Sequence, residues 1–208
     1  MKDFVGILKN RFGQDEPIAI ADIISEFADV SIPTVYACLN EAMASGDIER
    51  VIRGVYYLPR QGALGKVPLL PYKAIARKYL DNGSDVYGYV SGLNLQNEVG
   101  VSPQVPATLE ITTNNASRRV RDIKPFGGWR RITLRKPYVE VTRDNVNALK
   151  LLDLLTAVRL ETLSAAELNN IIKLSTATER CIVNDCVRSY PAKTAKRLIE
   201  SAAYGVFA

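Results

Sequence analysis

Residues 18–60 read IAIADIISEFADVSIPTVYACLNEAMASGDIERVIRGVYYLPR, and the order of signals in this stretch decides the fold of the N-terminal part. A short apolar-periodic segment ends near Ala28 and is followed by the turn Asp29-Val30-Ser31. A second helix is predicted over 32–45. The Ser31 hydroxyl can satisfy one of its early N–H groups. Pro33 falls in its first turn, where a missing N–H costs little. Gly46 suits the left-handed position just past its end. Val35, Leu39 and Met43 recur at a spacing of four, with Cys38 and Ala42 beside them, and make one apolar stripe. Ile20, Ile23, Ile24 and Phe27 do the same for the preceding segment. Two β-rich runs, 47–52 and 55–58, fold around Arg53-Gly54. Ahead of them, Phe4, Ile7, Leu8 and Phe12 share one face of a first amphipathic helix.

Helix, turn, helix and a two-stranded wing is the layout of a winged helix-turn-helix. Such a unit sets the N-terminal residues of its second helix against base edges in the major groove. On the face opposite the apolar stripe stand Thr34, Tyr36, Ala37, Asn40 and Glu41, with Ser31 at the cap. Asn40 suits a bidentate pairing with adenine, and Thr34 and Tyr36 suit phosphate or a thymine methyl. Arg50 and Arg53 in the wing suit backbone phosphate or the minor groove. Protein contact is the competing use of the same surface.

The chain has 208 residues, 47% of them hydrophobic, and a net charge of +5. That is enough for one large domain or two modest ones with a real core. No apolar run is long enough to span a membrane, and the N-terminus is too polar for a signal peptide. A cytoplasmic protein that does not engage membranes is expected. Histidine is absent, and Cys38, Cys181 and Cys186 form no CxxC pair. Histidine-based metal sites and triads are thereby excluded. Cys181 and Cys186 are expected as small core residues of a helix. No metal, cofactor or catalytic residue is expected, and the chain does not read as an enzyme. A nuclease would have to build its metal site on Glu110 and Glu140, with no supporting acid or lysine at a fixed spacing.

A Pro/Gly-rich join over 58–65 divides residues 1–60, the winged domain, from residues 61–208. Residues 1–60 hold six Lys/Arg and nine Asp/Glu, and residues 61–208 hold twenty-one and thirteen. The N-terminal part is therefore net acidic, which is unusual for a DNA binder, and it would need self-association on DNA or help from the basic part. Positive charge concentrates at Arg118, Arg119, Arg121, Lys124, Arg130 and Arg131, continuing to Arg143, with Phe126, Trp129 and Tyr138 interleaved. Such a patch can hold a nucleic-acid backbone; a solvated β-surface has the same pattern. In the second part, a helix is expected over 72–80, strands over 86–90, 105–113, 119–123, 129–134 and 138–141, and helices over 92–99, 145–160, 176–189 and 192–204. Ser164 and Glu167 form a capping box. The whole is α+β: an N-terminal winged helix-turn-helix, then a small sheet with a helical C-terminal subdomain.

The wing end Arg53-Gly54-Val55-Tyr56-Tyr57-Leu58-Pro59-Arg60 leads to the block YVSGLNLQNEVGVSPQVPA over 89–107. That block resembles the "SG…A.N.LG.S.Q.P" segment of AbiEi-type antitoxins of bacterial abortive-infection (type IV toxin–antitoxin) systems. Thr112-Thr113-Asn114 and Ser117-Arg118-Arg119 are also similar to that family. The resemblance runs along the whole chain, with its specific motifs within 46–121, and departs at Leu95 and Val101, where apolar character is kept. It implies a phage-defence antitoxin. The N-terminal domain would repress its own operon at operator DNA, with inverted repeats in the promoter. The C-terminal domain would neutralise a nucleotidyltransferase toxin without a stable complex. The alternative is a winged-helix transcriptional regulator whose C-terminal domain senses a ligand or dimerises.

Overall fold

The computed structural model describes residues 3–63, 65–128 and 131–207. Trp129 and Arg130, which the sequence sets at the start of a strand and in the basic patch, lie outside the described residues. The protein is α+β and divides into two compact units, Met1–Lys78 and Tyr79–Ala208. The division falls later than the Pro/Gly-rich join.

The first unit runs α1 (Phe4–Phe12), β1 (Ile18–Ala19), α2 (Ile20–Glu26), α3 (Ile32–Ser45), β2 (Glu49–Ile52) and β3 (Val55–Tyr57). A short hairpin, β4 (Gln61–Gly62) and β5 (Gly65–Lys66), and α4 (Pro71–Tyr79) follow. β1, β3 and β2 form an antiparallel sheet in that order, with a register shift between Arg50 and Ile52. Asp3 caps α1, and Ser31 caps α3 by accepting the Thr34 N–H at 3.4 Å. Gly46, at φ +79°, ends α3 in the left-handed region. Val35 and Leu39 are fully buried among Phe4, Leu8, Ile18, Ile23 and Tyr56. Each such side chain stabilises the unit by about 2 kcal/mol. Ile7, expected on the buried face of α1, is exposed instead.

The hairpin and α4 change the charge of this unit. They add Lys66, Lys73, Arg77 and Lys78 and no acid, so Met1–Lys78 holds ten Lys/Arg against nine Asp/Glu. Lys66 meets Glu49 at 3.1 Å, Lys73 meets Glu16 at 2.6 Å, and Arg77 pairs with Asp22. The acidity of residues 1–60 is thus neutralised within the same compact unit.

The second unit comprises β6 (Gly88–Val90), α5 (Gly92–Val99), β7 (Leu109–Thr113), β8 (Val120–Ile123) and β9 (Ile132–Arg135), then α6 (Val146–Ala157), α7 (Ala165–Thr176), α8 (Arg180–Val187) and α9 (Ala192–Ser201). The sheet order is β6-β7-β9-β8, with β7 and β9 parallel and the other pairs antiparallel. α6 is apolar nearly all round and forms the centre of the core: Leu149, Leu151, Leu152, Leu154 and Leu155 are buried, and α5, α7, α8 and α9 surround it. Its last carbonyls have no helical partners. The Arg197 guanidinium closes them, donating to the carbonyls of Leu155, Thr156 and Val158 at 3.0, 2.7 and 3.2 Å.

Two expected strands differ. The run over 105–113 pairs only as Leu109–Thr113; Pro106, near its start, has no N–H to donate to a ladder, and Val105 is 82% exposed. Residues 138–141 form no strand. The Asn114 side chain instead takes both backbone groups of Val141, accepting its N–H at 2.8 Å and donating to its carbonyl at 2.9 Å. The expected helix over 176–189 is split between the end of α7 and α8. Cys186 is buried on α8 as expected, whereas Cys181 is exposed.

Asp22 both accepts the Ala19 N–H at the start of α2, at 3.0 Å, and holds Arg77. Asp22→Ala is expected to destabilise the protein by roughly 1–3 kcal/mol, the sum of a lost cap and a lost charge-assisted bond. Urea unfolding followed by circular dichroism measures it, and an unchanged midpoint contradicts this role.

Candidate nucleic-acid interface and a polar cavity

Burial of Val35, Leu39 and Ala42 turns the other side of α3 to solvent. Thr34, Tyr36, Ala37 and Asn40 are all exposed there, as is the cap Ser31. The Ser31 and Thr34 hydroxyls hydrogen-bond to each other at 2.7 Å, which sets their orientation at the helix start. Arg50, on β2, and Arg53, in the turn closed by Gly54 at φ +80°, are exposed. Neither forms an ion pair among the described residues, whereas Arg11 and Arg60 are held by Glu26 and Asp15. The Arg53 carbonyl accepts from Lys78 Nζ at 2.5 Å and the Gly54 carbonyl accepts from the Ile20 N–H at 3.0 Å, so the turn is tied to two helices. The hairpin and α3 meet at Tyr56. Burial pushes its phenol up, and Arg50 and Tyr36 are the charged and ionisable groups within electrostatic reach of it. Every residue expected to face DNA therefore sits on one helix face or in the adjoining hairpin.

The basic patch is more dispersed. Arg118 and Arg119 lie in the bend before β8, Arg121 on β8, Lys124 just after it and Arg131 just before β9, and all are exposed. β8 is one of the two edge strands of the sheet, where charged side chains also discourage edge-to-edge pairing. Arg121 is registered with Leu134 and Val120 with Arg135. Cross-strand partners share a face and neighbours alternate, so Arg121 and Arg135 point to opposite sides of the sheet. Arg121 donates to Ser117 Oγ at 3.4 Å.

On the Arg135 side, Tyr89, Thr112, Arg135 and Val120 stand in one row across all four strands. That row floors a cavity of about 480 Å³, bounded by Asp153 and Thr156 of α6, by Arg119, Lys136 and Tyr138 at the sheet end, and by the start of α5. Arg135 grips Glu110 Oε2 through Nε at 3.1 Å and Nη2 at 2.9 Å. Glu110 in turn lies against Gly92, where an added Cβ would stand 2.4 Å from its carboxylate and where φ is +62°. The positive φ is what favours glycine there, since the Glu110 side chain could swing away from an added Cβ. Asp153 accepts hydroxyl bonds from Tyr89 at 2.8 Å and Tyr190 at 3.2 Å. Burial raises its carboxyl above the usual aspartate range against the lowering effect of both tyrosines and Arg135. Both phenols are pushed well above the usual tyrosine range, chiefly by burial. Tyr138, half-exposed, has its ring 4.7 Å from that of Tyr190.

This cluster escapes a motif search, although Asp153 carries a legible signal as the one acid inside the leucine-rich helix. Glu110, weighed as a metal ligand, is engaged by Arg135, and Glu140 lies outside any strand. Among the described residues, no acid, cysteine or histidine cluster suited to a metal is present. Among them, too, no helix is long and apolar enough to cross a membrane. Two asparagines of the 89–107 block serve backbone groups: Asn94 accepts the Glu110 N–H at 3.0 Å and Asn97 donates to the Ser102 carbonyl at 3.2 Å. No protein-family model, curated protein or solved structure matches the chain.

Asp153→Ala strands two buried hydroxyls and is expected to cost roughly 2–4 kcal/mol in chemical denaturation; wild-type stability would contradict the network. A carboxyl raised on folding binds its proton more readily in the folded state. Its contribution to stability therefore grows as pH falls through the folded value and shrinks as pH rises past it. In a carbon-detected NMR titration, Asp153 should titrate above the ordinary aspartate range, and Tyr89→Phe should move it higher still.

Proposed function

We propose that the protein is a DNA-binding antitoxin that represses its own operon. In this reading residues 1–78 act as a winged helix-turn-helix, with α3 as the recognition helix and the β2–β3 hairpin as the wing. The observation that carries it is the exposed face Thr34, Tyr36, Ala37 and Asn40 beside a hairpin whose Arg50 and Arg53 form no ion pair among the described residues. Asn40 pairs with adenine, Thr34 and Tyr36 touch phosphate or a thymine methyl, and Arg50 and Arg53 hold backbone phosphate. The unit's charge of ten cations against nine acids lets these arginines act without a strongly acidic field around them.

The antitoxin role is supported by the resemblance of residues 46–121 to AbiEi-type antitoxins. It assigns toxin neutralisation to the second unit, with Arg118, Arg119 and Arg121 as the charged surface and a nucleotidyltransferase as the functional partner. The polar cavity favours a second reading, in which the second unit senses a small ligand and the protein is a transcriptional regulator.

Mobility shift on the protein's own promoter tests the first part. Asn40→Ala is expected to weaken operator binding about tenfold, within the range for a lost bidentate base contact. Arg53→Ala should weaken operator and random DNA alike and reduce the salt slope by about one. Wild-type binding by Thr34→Ala, Asn40→Ala and Arg53→Ala together would refute the reading face. Growth protection against the cognate toxin tests the second part: reversing Arg118, Arg119 and Arg121 to Glu should abolish it, and full protection by that variant excludes the patch.

A further inference from the structure

Ser91 is only 1% exposed, and its hydroxyl has no hydrogen-bond partner. Buried polar atoms are almost always paired, so this one marks a place where a partner is missing. Ser91 lines the cavity of the second unit and is the N-cap of α5, yet its side chain accepts none of that helix's first N–H groups. The helix therefore starts at the cavity with uncapped donors, which favours an anion there. The Glu110 carboxylate lies against this start, at Gly92. It is the anion the protein itself supplies, and Arg135 holds it there. Two more cations line the cavity, Arg119 and Lys136, and neither forms an ion pair among the described residues. The remaining acid, Asp153, is turned to the tyrosine hydroxyls. The cavity, at about 480 Å³, lies in the size range of small-molecule sites, and the half-exposed ring of Tyr138 offers an aromatic face at its edge.

We propose that this cavity binds a ribonucleoside monophosphate. Its phosphate takes the place of the Glu110 carboxylate at the start of α5, receiving hydrogen bonds from Ser91, Arg119 and Lys136, while its base lies against Tyr138. Glu110 is then a competitor for the anion position, and Arg135 exchanges one anion for the other. The site lies within residues 79–208 and stands whether or not residues 1–78 read DNA.

Calorimetric titration of the full-length protein with each of the four ribonucleoside 5′-monophosphates, with the parent nucleosides and with inorganic phosphate is the test. At least one nucleotide should bind one-to-one and at least tenfold tighter than its nucleoside or phosphate. Lys136→Gln should weaken it about tenfold, the scale of one charge-assisted bond. Ser91→Ala should weaken it several-fold without unfolding the protein, and Glu110→Gln should tighten it by removing the internal competitor. Absence of binding by all four nucleotides at millimolar concentration to the folded protein overturns the proposal. So does binding that is indifferent to all three substitutions, and so does inorganic phosphate binding as tightly as any nucleotide.

Discussion

Burial of Val35 and Leu39 in the core that α3 shares with Ile18, Ile23 and Tyr56 fixes the rotational setting of that helix. A helix rotated by one residue turns each side chain through about 100°, so the two buried positions also determine which residues cannot be buried. Tyr36, Ala37 and Asn40 are exposed for that reason. Gly46 and the backbone bonds from Asp47 and Ile48 to the Ala42 carbonyl, at 3.0 and 3.1 Å, then carry the chain directly into the hairpin. The proposed reading face is thus a by-product of core packing, and its geometry is as rigid as that core.

α3 was fully legible in the sequence because each of its signals acts locally: a serine cap, a proline in the first turn, an apolar stripe of period 3.6 and a terminal glycine. The capping box at Ser164 and Glu167 was legible for the same reason, and both of its bonds are made. The charge of the first unit was not. Lys66, Lys73 and Arg77 lie beyond the Pro/Gly-rich join, and their pairing with Glu49, Glu16 and Asp22 depends on contacts 17 to 57 residues apart. A charge count cut at that join inverts the sign of the unit. Val141 makes the same point for secondary structure: its run has strand-like composition, but the Asn114 side chain claims the two backbone groups a strand would need.

The second unit is governed by α6. A helix with leucines on most of its circumference must be enclosed, and the helices around it do that. Two of its four polar residues, Asp153 and Thr156, open on the face where the sheet presents Tyr89, Thr112 and Arg135. The cavity therefore arises where the all-apolar enclosure is interrupted. Its members come from six separate elements, which is why composition revealed the basic residues around β8 without revealing that Arg119 lines a cavity.

The central claim is that α3 and the adjoining hairpin form the surface that reads DNA. Amide NMR of the full-length protein, titrated with its own promoter duplex, tests it most directly. The account predicts shifts concentrated at Thr34, Tyr36, Ala37, Asn40, Arg50 and Arg53. Shifts confined to residues 79–208, with the α3 amides unmoved, would contradict it.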